Sequence, residues 1–119
     1  METLEEWLDA LKGSDKHIIV EGNNDKAALV KLGIPKKRIS VICGAHFKFV
    51  EYISHHKRII LLVDLDAEGR RIYRRLKTDL QHHGVQIDNK FREFLFKDTR
   101  LRQIEGLYSY YLKSHIKNK

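Results

Sequence analysis

Ile59-Ile-Leu-Leu-Val-Asp-Leu-Asp66 contains the longest apolar run of this 119-residue chain, five residues followed at once by two aspartates. An apolar run without alternation is typical of a strand that is covered on both faces, as at the centre of a parallel sheet. Shorter runs rich in β-branched residues occur at 17–21, 39–42 and 85–87, and they predict three more strands. The run at 59–63 is therefore expected to be a central strand.

Helical patterns separate these strands along the chain. They predict helices at 2–12, 24–32, 47–55, 67–83 and about 98–115, whereas 91–96 fits either a strand or a helix. Such alternation predicts an α/β fold of about four mainly parallel strands with helices on both faces. No linker or repeat divides residues 1–119. We therefore expect one domain, with an N-terminal helix at 2–12, a core at about 16–90 and a helical tail at about 98–115.

Composition indicates a globular protein, with 42% hydrophobic and 33% charged residues. No apolar stretch approaches the ~20 residues that a membrane helix needs, and the acidic start lacks the features of a signal peptide. The single cysteine, Cys43, excludes an internal disulfide and is expected to be a small buried side chain. These features predict a cytoplasmic protein without a membrane partner.

The formal net charge of +7 is concentrated in the second half of the chain. Residues 1–65 carry ten basic and nine acidic side chains, whereas 66–119 carry thirteen and seven. Such a surplus is often only a solvated helix face, but beside the aspartates it predicts contacts with a nucleic-acid backbone. The candidate residues are Arg70, Arg71, Arg74 and Arg75 on the helix after the aspartates, with Arg100 and Arg102 further on.

Carboxylates follow two of the predicted strands, namely Glu21 after the first and Asp64 with Asp66 after the third. Ligands of parallel sheets bind beyond the carboxyl ends of the strands, so these side chains are expected to converge. Converging carboxylates repel each other unless a cation neutralises them, and their hard oxygens favour Mg²⁺, with Mn²⁺ as the alternative. Gly22 and Gly69 would let the backbone approach a phosphate or an ion closely.

Structural explanations of the same acids remain open. Asp66 could cap the helix that follows it, and Glu21 could pair with Arg58 or Lys57 at the sheet edge. His46 follows the second strand and is expected at the same edge as the acids. The sequence has no P-loop or dinucleotide motif, and an aspartate pair after the third strand does not suit a phosphatase that would carry it after the first.

The segments Ile18-Ile-Val-Glu-Gly-Asn-Asn-Asp25 and Ile60-Leu-Leu-Val-Asp-Leu-Asp-Ala-Glu-Gly69 resemble the Toprim domain. That domain is shared by DnaG-type primases, type IA and type II topoisomerases, OLD-family nucleases, RecR proteins and ribonuclease M5. Its hallmarks are a glutamate after the first strand and a DxD motif after the third, and the resemblance covers residues 16–90. Because the chain has little else, it is similar to the small stand-alone Toprim proteins of archaea and bacteria, akin to ribonuclease M5.

The resemblance implies a Toprim fold, which is Rossmann-like, and a Mg²⁺ ion held by Asp64 and Asp66. It implies that Glu21 is a general acid/base or a metal ligand, and Asp25 matches an acidic position of some members. We expect a Mg²⁺-dependent nuclease that acts on RNA rather than DNA, alone, as a homodimer or in a larger complex. The alternative is a non-catalytic nucleic-acid-binding or assembly module, with a role like that of RecR or of a primase domain.

Overall fold

A parallel sheet of four strands, in the order β2-β1-β3-β4, forms the centre of the molecule. The computed structural model describes residues 1–117, and side chains as far as residue 114. The strands are β1 (His17–Val20), β2 (Ile39–Val41), β3 (Arg58–Leu61) and β4 (Gln86–Asp88). Ile18 of β1 lies opposite Ile39 on one side and Ile60 on the other. The predicted parallel sheet is confirmed, and the strongest apolar run supplies one of its two inner strands.

Within the described residues, six α-helices cover both faces of this sheet, as predicted. They are α1 (Leu4–Gly13), α2 (Asn23–Lys31), α3 (His46–Ile53), α4 (Ala67–His82), α5 (Lys90–Asp98) and α6 (Leu107–Lys117). Ile18 and Val20 pack with residues of α1, α2 and α5, whereas Ile19 packs against α3 and α4. Because adjacent strand residues point to opposite faces, each apolar strand contributes to two separate cores. None of the described helices is long and apolar enough to cross a lipid bilayer.

The N-terminal helix packs on its own domain. Thr3 and Glu6 form a reciprocal capping box at its start, and Trp7 is fully buried. The indole Nε1 of Trp7 donates a hydrogen bond to the carbonyl oxygen of Phe91 at 2.9 Å. The apolar stripe of α1 is therefore used within the chain.

The tail of the chain differs from the prediction. The segment at 91–96 is helical, and the helix expected from Asp98 or Thr99 begins only at Leu107. Thr99 instead ends α5, because its hydroxyl donates to the carbonyl oxygen of Leu95 at 2.6 Å and accepts from the amide of Leu101 at 3.1 Å. Residues 99–103 form a loop, which is followed by a short 3₁₀ turn at Ile104–Gly106.

Two side chains beyond β2 are also placed differently from the prediction. The helical pattern at 47–55 predicts that Phe47 faces inward with Val50, but Phe47 is 65% exposed and Phe49 is buried instead. The expected burial of Cys43 is wrong as well, since its side chain is exposed. It lies in the loop beyond β2, where Gly44 adopts a positive φ of 71° and turns the chain towards α3.

Candidate metal and nucleic-acid site

The strand order creates one crevice at the carboxyl edge of the sheet. From β1 the chain crosses to β2 on one side, and it then returns to place β3 on the other side of β1. Ligand sites of open α/β sheets lie where the direction of winding reverses in this way. Glu21 and Asp64 follow the two strands at this point, and Glu21 Oε2 accepts a hydrogen bond from the Asp64 amide at 2.6 Å. The Glu21 carboxylate is therefore held against the backbone of Asp64, close enough for the charges of the two side chains to interact.

Asp64 connects three further parts of the chain. Its amide donates the hydrogen bond to Glu21 described above. Its Oδ1 accepts a hydrogen bond from the Ile104 amide at 2.9 Å. Its carbonyl oxygen accepts a hydrogen bond from Arg92 Nη2 at 2.8 Å. Because Asp64 is bonded through amide, carboxylate and carbonyl, its position is set by β1, α5 and the turn before α6 together.

Asp66 caps α4. Its Oδ1 accepts a hydrogen bond from the Gly69 amide at 2.8 Å, which confirms the structural explanation of this residue. Gly69 is needed for packing, since a Cβ atom there would lie 2.9 Å from the Asp64 Cα and still closer to its carbonyl group. The helix thus begins in direct contact with the backbone of Asp64.

The proposed pairing of Glu21 with Arg58 or Lys57 is wrong for this structure. Arg58 begins β3 at the opposite edge of the sheet and pairs with Asp15 at 3.1 Å. Lys57 precedes Arg58 and lies at that same edge. Glu21 instead belongs to the acidic crevice.

Asp25 lies in the same crevice and is buried, with 6% of its surface exposed. Its Oδ2 accepts a hydrogen bond from the Gly22 amide at 3.0 Å, which closes the first turn of α2. Gly22 has an extended conformation, and a Cβ atom there would meet only Asp25 Oδ2 at an ordinary 3.8 Å. The backbone conformation at position 22 therefore does not require a glycine.

The crevice carries negative charge that is poorly solvated. Burial raises the pKa of Glu21, and the charges of Asp64, Asp25 and Asp66 raise it further, while the hydrogen bond from the Asp64 amide opposes them. Burial also raises the pKa of Asp25 and of Asp64. A group with a raised pKa is one whose ionised form is destabilised, so a bound cation would stabilise this cluster.

The chemistry of these donors fits a hard divalent cation. Within the described part of the chain, no three His, Cys, Asp or Glu side chains are arranged so that they could hold a metal ion by themselves. Mg²⁺ seldom needs such a cage, because it keeps several waters and binds one or two carboxylates together with substrate phosphates. Glu21, Asp64 and Asp66 suit that mode, and in each of them one carboxylate oxygen accepts a hydrogen bond from a backbone amide.

Arg92 is a site residue that the sequence reasoning missed. It is buried, and its Nε and Nη2 donate to the carbonyl oxygens of Val63 and Asp64 at 3.2 and 2.8 Å. Its guanidinium group lies 4.3 Å from the centre of the Tyr73 ring. A helical interpretation of 91–96 would have indicated that Arg92 is buried, because on a helix it lies close to the stripe formed by Phe91 and Leu95.

The loop at 99–103 and the turn after it were also missed. The Leu65 amide donates to the Arg102 carbonyl oxygen at 2.8 Å, so this loop is hydrogen-bonded to the segment between the two aspartates. The charge of Glu105 raises the pKa of both Asp25 and Asp64. Gly106, inside the predicted helix, was the signal for a break in it.

The four arginines of α4 are exposed and spread around the helix. Successive residues of a helix lie about 100° apart, so Arg75 shares a side with Ile72, and Arg70 lies on the other side of the buried stripe. Arg71 forms an ion pair with Glu68 one turn earlier, and Arg74 points to solvent between the two sides.

Arg100 and Arg102 are exposed at the loop beyond α5. The Arg100 amide donates to the Tyr110 hydroxyl at 3.4 Å. Arg102 Nη1 donates to the Leu101 carbonyl oxygen at 2.7 Å, and its guanidinium group lies 5.0 Å from the centre of the Phe96 ring. The side chain of Arg102 is therefore partly engaged by its own loop.

His46 lies at the same edge as the acids, as predicted, and lines a cavity together with Glu21 and Arg75. Its Nε2 lies 2.6 Å from Asp79 Oδ2. Because a carboxylate only accepts hydrogen bonds, Nε2 of His46 is the donor, and this bond lowers the pKa of Asp79.

Comparison with known proteins gives results that agree with this architecture. A family model described as Toprim-like matches residues 18–99. The UPF0292 protein of Methanocaldococcus jannaschii is 31% identical over 115 residues, covering 92% of this chain and 90% of that protein. The UPF0292 protein of Methanosarcina barkeri is 30% identical over 125 residues, covering 98% and 86%. A solved structure from Aquifex aeolicus is similar with a TM-score of 0.79 at 35% identity, covering 88% of this chain and 98% of that one.

Proposed function

This chain belongs to the Toprim-like family, and from that premise we propose that it is a Mg²⁺-dependent phosphodiesterase that cleaves RNA in the cytoplasm. Toprim domains generally bind divalent metal ions and act on nucleic acids. The observation that carries the proposal is the 2.6 Å contact of Glu21 with Asp64 at the switch point of the sheet. It joins a carboxylate to the DxD motif at the place where such folds bind their ligands.

Glu21 is proposed as the proton carrier. Its pKa is raised, chiefly by burial, so it takes up a proton more readily than an exposed glutamate does. Such a group can accept a proton from attacking water or return one to the leaving oxygen. The hydrogen bond from the Asp64 amide holds one carboxylate oxygen, Oε2, in place.

Asp64 and Asp66 are proposed to hold the metal, with Glu21 or Asp25 in support. When bound, Mg²⁺ supplies positive charge to the non-bridging phosphate oxygens and lowers the pKa of a bound water. Arg92 positions Asp64 through its carbonyl oxygen and partly balances the negative charge of the crevice. The exposed arginines of α4, together with Arg100 and Arg102, are proposed to bind phosphates on either side.

The test is cleavage by the purified protein of labelled single-stranded, duplex and structured RNA and DNA, with Mg²⁺ and with EDTA. Glu21→Gln keeps the size and the hydrogen-bond acceptor of the side chain but cannot ionise. We expect turnover to fall about 10²–10⁴-fold with little loss of binding. Glu5→Gln, at an exposed position on α1, is the matched control and should cleave as the wild type does. Retained cleavage by Glu21→Gln would show that Glu21 does not have this role.

A second function, a non-catalytic nucleic-acid-binding module, has one observation in its favour. The exposed arginines of α4, together with Arg100 and Arg102, can bind a phosphate backbone whether or not the acidic crevice cleaves it. Salt-sensitive binding without Mg²⁺-dependent turnover would support this module over the enzyme. A homodimer or a larger complex could enclose the substrate in either case, and sedimentation with and without RNA would detect it.

A further inference from the structure

A cavity of about 260 Å³ adjoins the acidic crevice between the loop after β2 and helix α4. Three aliphatic side chains, Ile42, Ile72 and Leu76, form its walls. Ligand sites are typically such apolar hollows with a few polar groups. Because drug-sized ligands occupy about 300–1,000 Å³, this volume suits a smaller body such as one flat ring system.

The polar groups of the cavity have distinct chemistry. Glu21 belongs both to this cavity and to the acidic crevice, so an occupant reaches the site of the proposed reaction. Arg75 supplies an exposed guanidinium group on α4. His46 is held in place by its 2.6 Å hydrogen bond to Asp79. An occupant that satisfies this lining has an apolar flat part and an adjoining anionic part, which is the chemistry of a nucleotide.

An exposed aromatic ring stands beside the cavity. Phe47 follows His46 at the start of α3, and its side chain is 65% exposed. Phe47 lines a smaller hollow of about 170 Å³ together with Asp79, and Asp79 is hydrogen-bonded to His46 on the lining of the main cavity. Exposed aromatic rings are the usual stacking platforms for unpaired bases.

We propose that this cavity receives one unpaired base of a single-stranded nucleic acid, with the adjoining phosphate at Arg75 and the next base stacked on Phe47. The inference deepens the proposed function, on which it rests, by naming the form of the substrate. Bases within a duplex are paired and stacked and cannot enter such a cavity unless they are extruded. The site therefore selects single strands, loops or ends.

The test uses a set of short oligoribonucleotides in which the fluorescent base 2-aminopurine occupies each position in turn. Binding is measured in EDTA, so that no cleavage occurs. We expect one position to show a rise in fluorescence, because its base leaves the stack of its neighbours. An oligoribonucleotide with an abasic residue at that position should bind about tenfold more weakly, since one base contact is removed.

Ile72→Phe places a larger side chain on the wall of the cavity, and it should abolish the rise and the preference over the abasic probe. Ile87→Phe is the matched control, because Ile87 packs against the same core at a distance from this cavity. Phe47→Ala changes an exposed residue, so folding is preserved, and affinity should fall about tenfold through loss of stacking.

The base site is overturned if no position shows the rise, if the abasic probe binds equally well, or if folded Ile72→Phe behaves as the control does. Unchanged affinity of Phe47→Ala overturns the stacking part. These outcomes are separable from the failure of the proposed function. Mg²⁺-dependent cleavage without a fluorescence rise rejects the base site alone, whereas a rise without any cleavage supports it and rejects the phosphodiesterase.

Discussion

Replacing Gly69 with alanine should separate α4 from the loop that carries Asp64. The added Cβ atom would lie 2.9 Å from the Asp64 Cα and closer to its carbonyl group. Carbon atoms at optimal separation are about 3.5–4.0 Å apart, and the carbonyl carbon is nearer than the Cα atom, so the two backbones must move apart by about 1 Å. That movement lengthens the capping bond from Gly69 to Asp66 and displaces the amide that Glu21 binds.

The expected loss of stability follows from two opposing contributions. Overpacking of this kind costs about 1–3 kcal/mol, and alanine recovers up to about 1 kcal/mol because it is favoured over glycine in a helix. Because the overlap is with backbone atoms, the cost lies at the upper end of this range, and we expect the free energy of unfolding to fall by about 2 kcal/mol. Turnover should fall by about a hundredfold, because a displacement near 1 Å disturbs the alignment of reacting groups.

Gly13→Ala is the matched control for this change. Gly13 ends α1, and a Cβ atom there would have no neighbour within 4 Å. Its stability should be unchanged or slightly higher than that of the wild type. Urea unfolding followed by circular dichroism measures both variants, and Mg²⁺-dependent cleavage measures the site. If Gly69→Ala is as stable and as active as Gly13→Ala, the close approach of α4 to Asp64 is not required.

Three further changes test the electrostatics of the fold. Arg92→Leu removes the donor to the buried Val63 carbonyl and the half-buried Asp64 carbonyl, and it should cost about 2–4 kcal/mol in urea unfolding, whereas exposed Arg74→Leu should stay within about 0.5 kcal/mol of the wild type. The pKa of Asp64 is raised by burial, so its ionisation lowers stability as pH rises above 3.8. Without metal, Asp64→Asn should therefore gain stability over the wild type between about pH 4 and 7, and a pH-independent difference would contradict this. Mg²⁺ at a hundredfold excess over its dissociation constant should stabilise the wild type by about 2.7 kcal/mol, but not Asp64→Asn, in thermal unfolding. Burial and neighbouring histidines lower the pKa of His17 from 6.5 to about 4, so the stability that it contributes is complete above pH 6.5 and is lost as the pH falls towards 4. His17→Gln should reduce this acid sensitivity, and an unchanged pH profile would argue against it.

The local sequence pattern was sufficient to predict an element whose burial shows in the spacing of its own apolar residues. The apolar run at 59–63 lacks alternation because both of its faces are covered, and this property alone identified an inner strand. The position of Glu21 and Asp64 then followed from the rule that parallel sheets bind ligands beyond their strand ends. Phe47 shows the limit, because the local pattern does not tell which of the two phenylalanines of α3 packs against the core, and it is Phe49 that is buried.

The same spacing arguments failed for the loop beyond α5. Leu101 and Ile104 fit a helical pattern and are indeed buried, yet they are buried from a loop and a short turn. The Ile104 amide is bound by Asp64 and the Arg102 carbonyl by Leu65, across about 40 residues of sequence. These long-range hydrogen bonds compete with the helix that the local pattern predicts. The local pattern cannot show them, because their two ends are far apart in the sequence.

The amino-acid sequence was enough to establish the parallel α/β fold, the acids at its switch point and the resemblance to the Toprim domain. Each of these depends on residues that lie close together along one element, where the periods of strand and helix leave a visible pattern. The folded molecule was needed to show that Asp66 caps α4, that buried Arg92 holds the Asp64 backbone, and that a cavity beside Glu21 joins His46 to Arg75. Those features arise from contacts between elements far apart in the chain, and such contacts leave no periodic trace in the sequence.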